Sequence, residues 1–128
     1  MLFRSVRLKV LNVTMSSGAT ITTPTSANYV VTNSTGQLKQ VVAASNKFFP
    51  VGNSSYDPIT LNNSGTSDTY GVNVLDGNLS STALDYTYAV DRKWQITEAI
   101  SGNSNLAVTA QYNTGEENTN YIDRKSVV

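Results

Sequence analysis

Apolar and polar residues alternate with a period of two along most of the chain. In the first such segment, Val6, Leu8 and Val10 would face one side of an extended strand, and Arg7 and Lys9 would face the other. The same alternation recurs with inward-facing sets at Tyr70, Val72 and Val74; Leu84, Tyr86, Tyr88 and Val90; Trp94 and Ile96; and Leu106, Val108, Ala110 and Tyr112. Shorter patterns predict further strands at 28–32, 37–43, 47–51 and 58–61.

Groups of turn-forming residues separate these segments, at 33–36, 52–55, 62–65, 76–78 and 101–103. Asn, Asp and Ser side chains bond back to their own backbone and Gly accepts positive φ, so each group ends a strand. No segment has the 3.6-residue periodicity of a helix. The pattern predicts an all-β fold, either an antiparallel β-sandwich of the immunoglobulin-like or jelly-roll-like kind or a β-solenoid.

The two halves of the chain differ in composition. Residues 10–36 are nearly free of charge and rich in Thr, Ser and Gly, whereas residues 46–113 carry the larger aromatic side chains. We therefore expect residues 6–44 to form β-hairpins or a solenoid rung. Residues 45–122 would form the sandwich, truncated on its C-terminal side, with the joint near Ser45.

The two ends of the chain can be encoded by complementary DNA. CTCTTCCGATCT encodes residues 2–5, GATCGGAAGAGCGTCGTG encodes residues 123–128, and the two strings are complementary over GATCGGAAGAG. Because that string looks like a sequencing-library adapter, we expect residues 1–5 and 123–128 to be translated scar and exclude them from the fold prediction. Residues 6–122 would then be a window on a longer reading frame.

Asn, Ser and Thr, with 14, 15 and 16 residues, supply about a third of the chain, and it has no His and no Cys. Histidine-based triads, thiol nucleophiles and His/Cys zinc sites are therefore excluded. Without the suspected scar, 6 basic and 8 acidic residues remain, so no basic face for nucleic acid is expected. Apolar runs such as 41–44 are too short to span a bilayer. Polarity carried by amides and hydroxyls favours an extracellular or cell-surface location.

Three aromatic residues are the only ligand candidates, and each also fits a structural role. Trp94, with Tyr86 and Tyr88, would offer a sugar-stacking face if these rings were exposed in one plane. Trp94 alternates with Ile96, however, and a lone Trp in a small sandwich usually fills the core. Tyr86 and Tyr88 would likewise share the inward face of their strand. We therefore favour Trp94 as a core anchor.

The acidic residues predict neither a metal site nor a catalytic pair. Asp57, Asp68 and Asp76 offer oxygen ligands, but Ca²⁺ takes six to eight, and ordinary Asx turns explain these positions better. The acids are scattered singly, and Glu116 and Glu117, although adjacent, are expected in a polar tail. A glycosidase needs two carboxylates facing each other across a cleft. We predict no enzyme, no metal and no cofactor.

Six short segments carry a resemblance to a known class of protein. They are YVVTN at 29–33, GQL at 36–38, FPVG at 49–52, YDPITL at 56–61, VDRKWQI at 90–96 and LAVTAQY at 106–112. Together they resemble the β-strand-rich modules of large secreted Bacteroidetes surface proteins. The resemblance implies export by type IX secretion, a cell-surface or adhesive role, and neighbouring modules of a longer chain as partners. Its motifs are structural, so it implies no catalytic residues.

Three functional hypotheses follow, from different classes. The first is a non-catalytic structural or adhesive module of a secreted bacterial cell-surface protein. The alternative is a carbohydrate-binding module that uses exposed aromatics, with glycans as partners. The third, an enzyme, would require a cleft with two facing carboxylates.

Overall fold

A computed structural model of the chain describes residues 6–77 and 86–122, and for Tyr86 the backbone alone. The suspected scar segments, 1–5 and 123–128, and Leu84 lie outside the described residues. The described part holds ten strands: β1 Val6–Leu8, β2 Val13–Thr14, β3 Val30–Thr32, β4 Leu38–Val42, β5 Lys47–Phe49, β6 Val51–Gly52, β7 Ile59–Asn63, β8 Asp68–Asp76, β9 Arg92–Glu98 and β10 Leu106–Ala110. Two 3₁₀ helices, Tyr86–Tyr88 and Thr114–Glu116, are the helices of this part. The all-β prediction is confirmed.

The strands form three sheets. The largest has the order β2-β4-β8-β9, in which β4, β8 and β9 are antiparallel and β2 runs parallel to β4. A second sheet, β10-β7-β5, is antiparallel throughout. The third, β1-β3-β6, is parallel throughout. The parallel pairs β1–β3 and β2–β4 are stacked in chain order, as successive turns of a solenoid are. The pairings within β4-β8-β9 and β10-β7-β5 are antiparallel, which is typical of sandwiches.

One hydrophobic core joins residues from both sides of Ser45. Its members are Leu8, Val30, Leu38, Val42, Phe49, Val51, Ile59, Leu61, Tyr70, Val72 and Val74, each 7% exposed or less. The alternation places them inward: along β4 and β7 every second residue is buried. The sheets also run across the expected joint near Ser45, since β3 pairs with β6 and β4 with β8.

Amide and hydroxyl side chains occupy several interior positions, and their polar atoms are bonded there. Asn63, fully buried, donates from Nδ2 to Thr66 O at 2.7 Å, and its Oδ1 accepts the backbone N–H of Gly65 and Asn105. The Thr32 hydroxyl accepts the backbone N–H of Val74 at 2.8 Å. Because a buried polar group without a partner costs free energy, these bonds make Asn and Thr tolerable inside the fold.

Two strand predictions in the C-terminal half of the chain are wrong. The segment expected as a strand through Tyr86, Tyr88 and Val90 forms a 3₁₀ helix followed by a single bridge from Val90 to Glu117. Backbone N–H groups of Asn118 and Asn120 bond to carbonyls in this segment and hold it in an irregular turn. The strand expected to reach Tyr112 ends at Ala110.

Several residues expected to face the core are exposed. Val6 and Val10 are 51% and 69% exposed, because β1 ends at Leu8 and only Leu8 reaches the interior. Val108 is 49% exposed, because β10 lies at the edge of its sheet. Among the described helices, none has the length and apolar character needed to cross a bilayer.

Candidate functional site

Charged and polar side chains that are distant in sequence meet around one guanidinium group. We call this set the Arg92 cluster; it consists of Ser55, Asp57, Asp76, Arg92, Asn113 and Glu116. Arg92 Nε lies 3.1 Å from Asp57 Oδ2, and Nη2 lies 2.9 Å from Glu116 Oε1. Nη1 lies 3.6 Å from Asp76 Oδ1. One cation is therefore surrounded by three carboxylates.

Regular structure sets the position of each charged group. Arg92, the first residue of β9, lies opposite Asp76, the last residue of β8, in the antiparallel register. Asp57 precedes β7, and its backbone N–H bonds to Val51 O at 3.0 Å. Asn113 caps the second 3₁₀ helix, which ends at Glu116 in a capping box.

Hydrogen bonds occupy the carboxylate oxygens of the cluster. Ser55 Oγ lies 2.8 Å from Asp57 Oδ2 and also bonds to Glu116 Oε1. Asn113 Nδ2 donates to Asp57 Oδ1 at 3.1 Å and to Glu116 Oε1 at 2.9 Å. The backbone N–H of Asn113 donates to Glu116 Oε2 at 3.0 Å. Both carboxylates are thus held by protein donors at both oxygens.

The two inner carboxylates share one positive charge in a buried site. Asp57 is fully buried, and the side chains of Glu116 and Arg92 are 7% and 8% exposed. Burial, together with the hydrogen bond and negative charge of Glu116, raises the pKa of Asp57 to about 6, against the lowering effects of Ser55 and Arg92. Burial acts on Glu116 in the same direction, but bonds from Ser55, Asn113 and Asp57 outweigh it and lower the pKa of Glu116. As pH falls, this pair therefore takes up its first proton mainly at Asp57.

The raised pKa of Asp57 predicts that stability falls as pH rises from about 4 to about 6. An unfolded Asp titrates near 3.8 and the folded Asp57 near 6, so within this window the folded state binds more protons. We expect a loss on the order of 1 to 2 kcal/mol, measured by urea unfolding across this range. The lowered pKa of Glu116 acts oppositely from the lower part of this window downward, because its contribution is complete only above the ordinary Glu value of 4.5 and is lost as pH falls through its folded pKa.

The Asp57→Asn variant is the control for this pH dependence, because its side chain keeps a similar shape but does not titrate. Its stability should not fall between pH 4 and pH 6. A wild-type protein that grows more stable with rising pH across this window, or a variant with the same slope as the wild type, would contradict the assignment.

The sequence-based placement of Asp57 and Glu116 is wrong. Asp57 and Glu116 are not scattered but adjacent, since both bond to the same Ser55 hydroxyl, and Glu116 lies in a buried corner instead of a polar tail. The spacing from Asn113 to Glu116 is that of a capping box, and this local signal could have predicted the turn. No local signal pairs either residue with Arg92.

The two inner carboxylates of the cluster, those of Asp57 and Glu116, are enclosed by protein donors. Asp57 is closed to solvent and both inner carboxylates accept protein donors at both oxygens, whereas a catalytic acid or base must reach a bound molecule. Within residues 6–77 and 86–122, no group of acidic side chains has an arrangement that could hold a metal ion.

The three aromatic candidates lie in different surroundings. Trp94 is half-buried and packs against the core, and its Nε1 donates to Asp57 O at 3.0 Å, so the ring also supports the Arg92 cluster. Tyr88, on the first 3₁₀ helix, is 59% exposed. The side chain of Tyr86 lies outside the described part of the chain.

A shallow depression lies on the sheet that contains β8 and β9. Its volume is about 70 Å³, and Lys39, Thr69, Gly71, Thr97, Glu98 and Ala99 line it. Pockets that hold small ligands typically measure about 300–1,000 Å³, so this depression accommodates little more than water.

Comparisons with protein-family models, with curated proteins and with solved structures find no match to this chain.

Proposed function

We propose that the chain is a non-catalytic structural or adhesive module of a secreted bacterial cell-surface protein. The observation that carries the proposal is the closed state of the Arg92 cluster. Its side chains bond to one another across large sequence separations, 35 residues from Asp57 to Arg92 and 61 from Ser55 to Glu116. The cluster therefore acts as a clamp between segments, and its two inner carboxylates are held by protein donors.

The clamp explains how an irregular C-terminal segment is attached to the sheets. After β10 the chain has one 3₁₀ turn and otherwise lacks regular structure through residue 122. Glu116 bonds to Arg92, and the backbone N–H of Asp91 bonds to Glu116 O at 2.8 Å. A module exposed to proteases benefits from such attachment, because cleavage requires local opening of the chain.

The surface chemistry supports a location outside the cell. Asn, Ser and Thr supply about a third of the chain, charged residues make up only 14%, and the ion pairs at Asp57 and Glu116 are buried. The resemblance to secreted Bacteroidetes modules favours the same location and favours neighbouring modules of a longer chain as partners.

One exposed ring favours the alternative, a carbohydrate-binding module. Tyr88 is 59% exposed, and sugars bind proteins by stacking on such aromatic faces. Trp94 supports this alternative less, because its indole N–H is directed to the Asp57 carbonyl inside the protein.

A glycan array separates the two functions. The wild-type chain, Tyr88→Ala and Phe48→Ala would be compared, since Phe48 is an exposed ring, 44% accessible, on β5. For a structural module we expect no glycan bound by any of the three. Binding that Tyr88→Ala abolishes and Phe48→Ala retains, with unchanged thermal unfolding, would overturn the proposal in favour of the alternative.

A further inference from the structure

Strand β10 is an edge strand without the features that usually protect one. It pairs with β7 on one side, and no other described strand pairs with it. Its five residues, LAVTA, include no charge and no proline, and four of the five are exposed. Natural proteins commonly block such edges with Lys, Pro or a bulge, because free backbone groups invite another strand.

The hydrogen bonds that flank β10 show which of its backbone groups point outward. Ser64 N–H bonds to Asn105 O at 3.1 Å, and Gln111 N–H bonds to Pro58 O at 2.9 Å, each between residues directly opposite in the register. In an antiparallel ladder such hydrogen-bonded pairs alternate along the strand. Residues 107 and 109 therefore bond to β7, and residues 106, 108 and 110 direct their N–H and C=O groups to the free edge.

We propose that β10 of one copy pairs antiparallel with β10 of a second copy, across a two-fold axis at Val108. In this register Val108 lies opposite itself, and Leu106 lies opposite Ala110 of the second copy. The outward N–H and C=O groups of all three positions then meet their counterparts, and the two three-stranded sheets become one continuous sheet of six strands.

Side-chain size supports a second copy as the occupant. Leu106, Val108 and Ala110 lie on the face of β10 whose β7 neighbours, such as Leu61, belong to the core. The two-fold register places the largest of the three side chains opposite the smallest at both ends and Val108 opposite Val108 at the centre. The exposed half of the Val108 side chain would then be covered by Val108 of the second copy, and the core would continue across the β10 edge.

Charge also favours self-pairing. The strand carries no charge, so its symmetric pairing brings no like charges together, and the formal net charge of the whole chain is zero. The pairing of two edge strands buries less accessible surface area than the roughly 1,200–2,000 Å² that stable protein–protein interfaces bury. We therefore expect a weak dimer, with a Kd between about 1 μM and 1 mM.

Sedimentation equilibrium over a concentration series up to about 1 mM tests the proposal. Val108→Lys places two cations opposite each other at the centre of the pairing and should reduce dimer formation at least about tenfold. Val41→Lys is the matched control, because Val41 is 42% exposed and lies on β4, a central strand of another sheet. We expect the wild type and Val41→Lys to dimerise alike and Val108→Lys to remain monomeric and folded by circular dichroism.

Amide hydrogen exchange gives a second readout that does not depend on any variant. As concentration rises, exchange should slow at Leu106, Val108 and Ala110, whereas the amides of Ala107 and Thr109 already bond within the monomer. A wild type that stays monomeric to 1 mM would overturn the proposal. A dimer that Val108→Lys leaves intact, or one whose formation protects none of the three outward amides, would overturn it as well.

Discussion

Replacing Arg92 by methionine is expected to lower the free energy of unfolding by about 3–5 kcal/mol. The variant removes the cation that lies 3.1 Å from Asp57 and 2.9 Å from Glu116, and both carboxylates stay enclosed by the fold. Removing one member of a buried ion pair costs this much because the remaining charge has lost its water and its partner. Urea unfolding, followed by the fluorescence of the single tryptophan, Trp94, measures the change.

Lys93→Met is the matched control, since Lys93 is the next residue of β9 and lies outside the Arg92 cluster. We expect it to change the unfolding free energy by less than about 1 kcal/mol. The cost of Arg92→Met should also shrink in an Asp57→Asn background, because one of the two negative charges that Arg92 neutralises is then absent. Equal effects of Arg92→Met and Lys93→Met would show that the cluster does not stabilise the fold.

Phe49→Ala is the second substitution with a large expected effect, about 3–5 kcal/mol of unfolding free energy. Phe49 is fully buried in the core, and truncation of its ring leaves a cavity there. Phe48 is its neighbour on the same strand and 44% exposed, so Phe48→Ala should cost less than about 1 kcal/mol. Chemical denaturation of both variants gives the comparison.

The two phenylalanines form a direct test of the alternation on which the fold prediction depends. The two residues are identical and adjacent in sequence, and their side chains point to opposite faces of β5. A Phe48→Ala variant as unstable as Phe49→Ala would mean that β5 is covered on both faces.

Alternation predicted the apolar face of the central strands well, because a strand that is paired on both sides has a fixed register. Tyr70, Val72 and Val74 were expected to face one way, and all three lie in the core on β8; Gly71 and Asn73 on the opposite face are buried as well, which the alternation did not indicate. The break at Pro50 also follows from the sequence, because proline has no N–H for a ladder, and it separates β5 from β6. At these positions local pattern and tertiary packing agree.

The same pattern failed at the ends and edges of the sheets. Val6 and Val10 have the spacing of a strand face, but nothing in that spacing tells whether a second layer covers it. Tyr86 and Tyr88 alternate with polar residues too, and the competing backbone bonds from Asn118 and Asn120 come from a segment about thirty residues away. Such long-range partners decide the structure there, and a single sequence does not encode them locally.

The Arg92 cluster could not be predicted for a related reason. Asp57, Arg92 and Glu116 are single charged residues in three separate segments, each of which reads as an exposed turn or strand end. The register of β8 and β9 brings Arg92 to one corner, and the cap at Asn113 brings Glu116 to the same corner. Only the fold shows that these charges are partners.

The interleaved order of the strands means that the chain cannot be divided near Ser45 into two independent units. β4 lies between β2 and β8, and β3 lies between β1 and β6, so each half supplies strands that the other half needs as neighbours. A backbone nick in the exposed loop at 43–46 would leave two peptides, each of which lacks strands that its sheets need. Two peptides made by such a cut would form a split protein, in which restored folding would report that they had met.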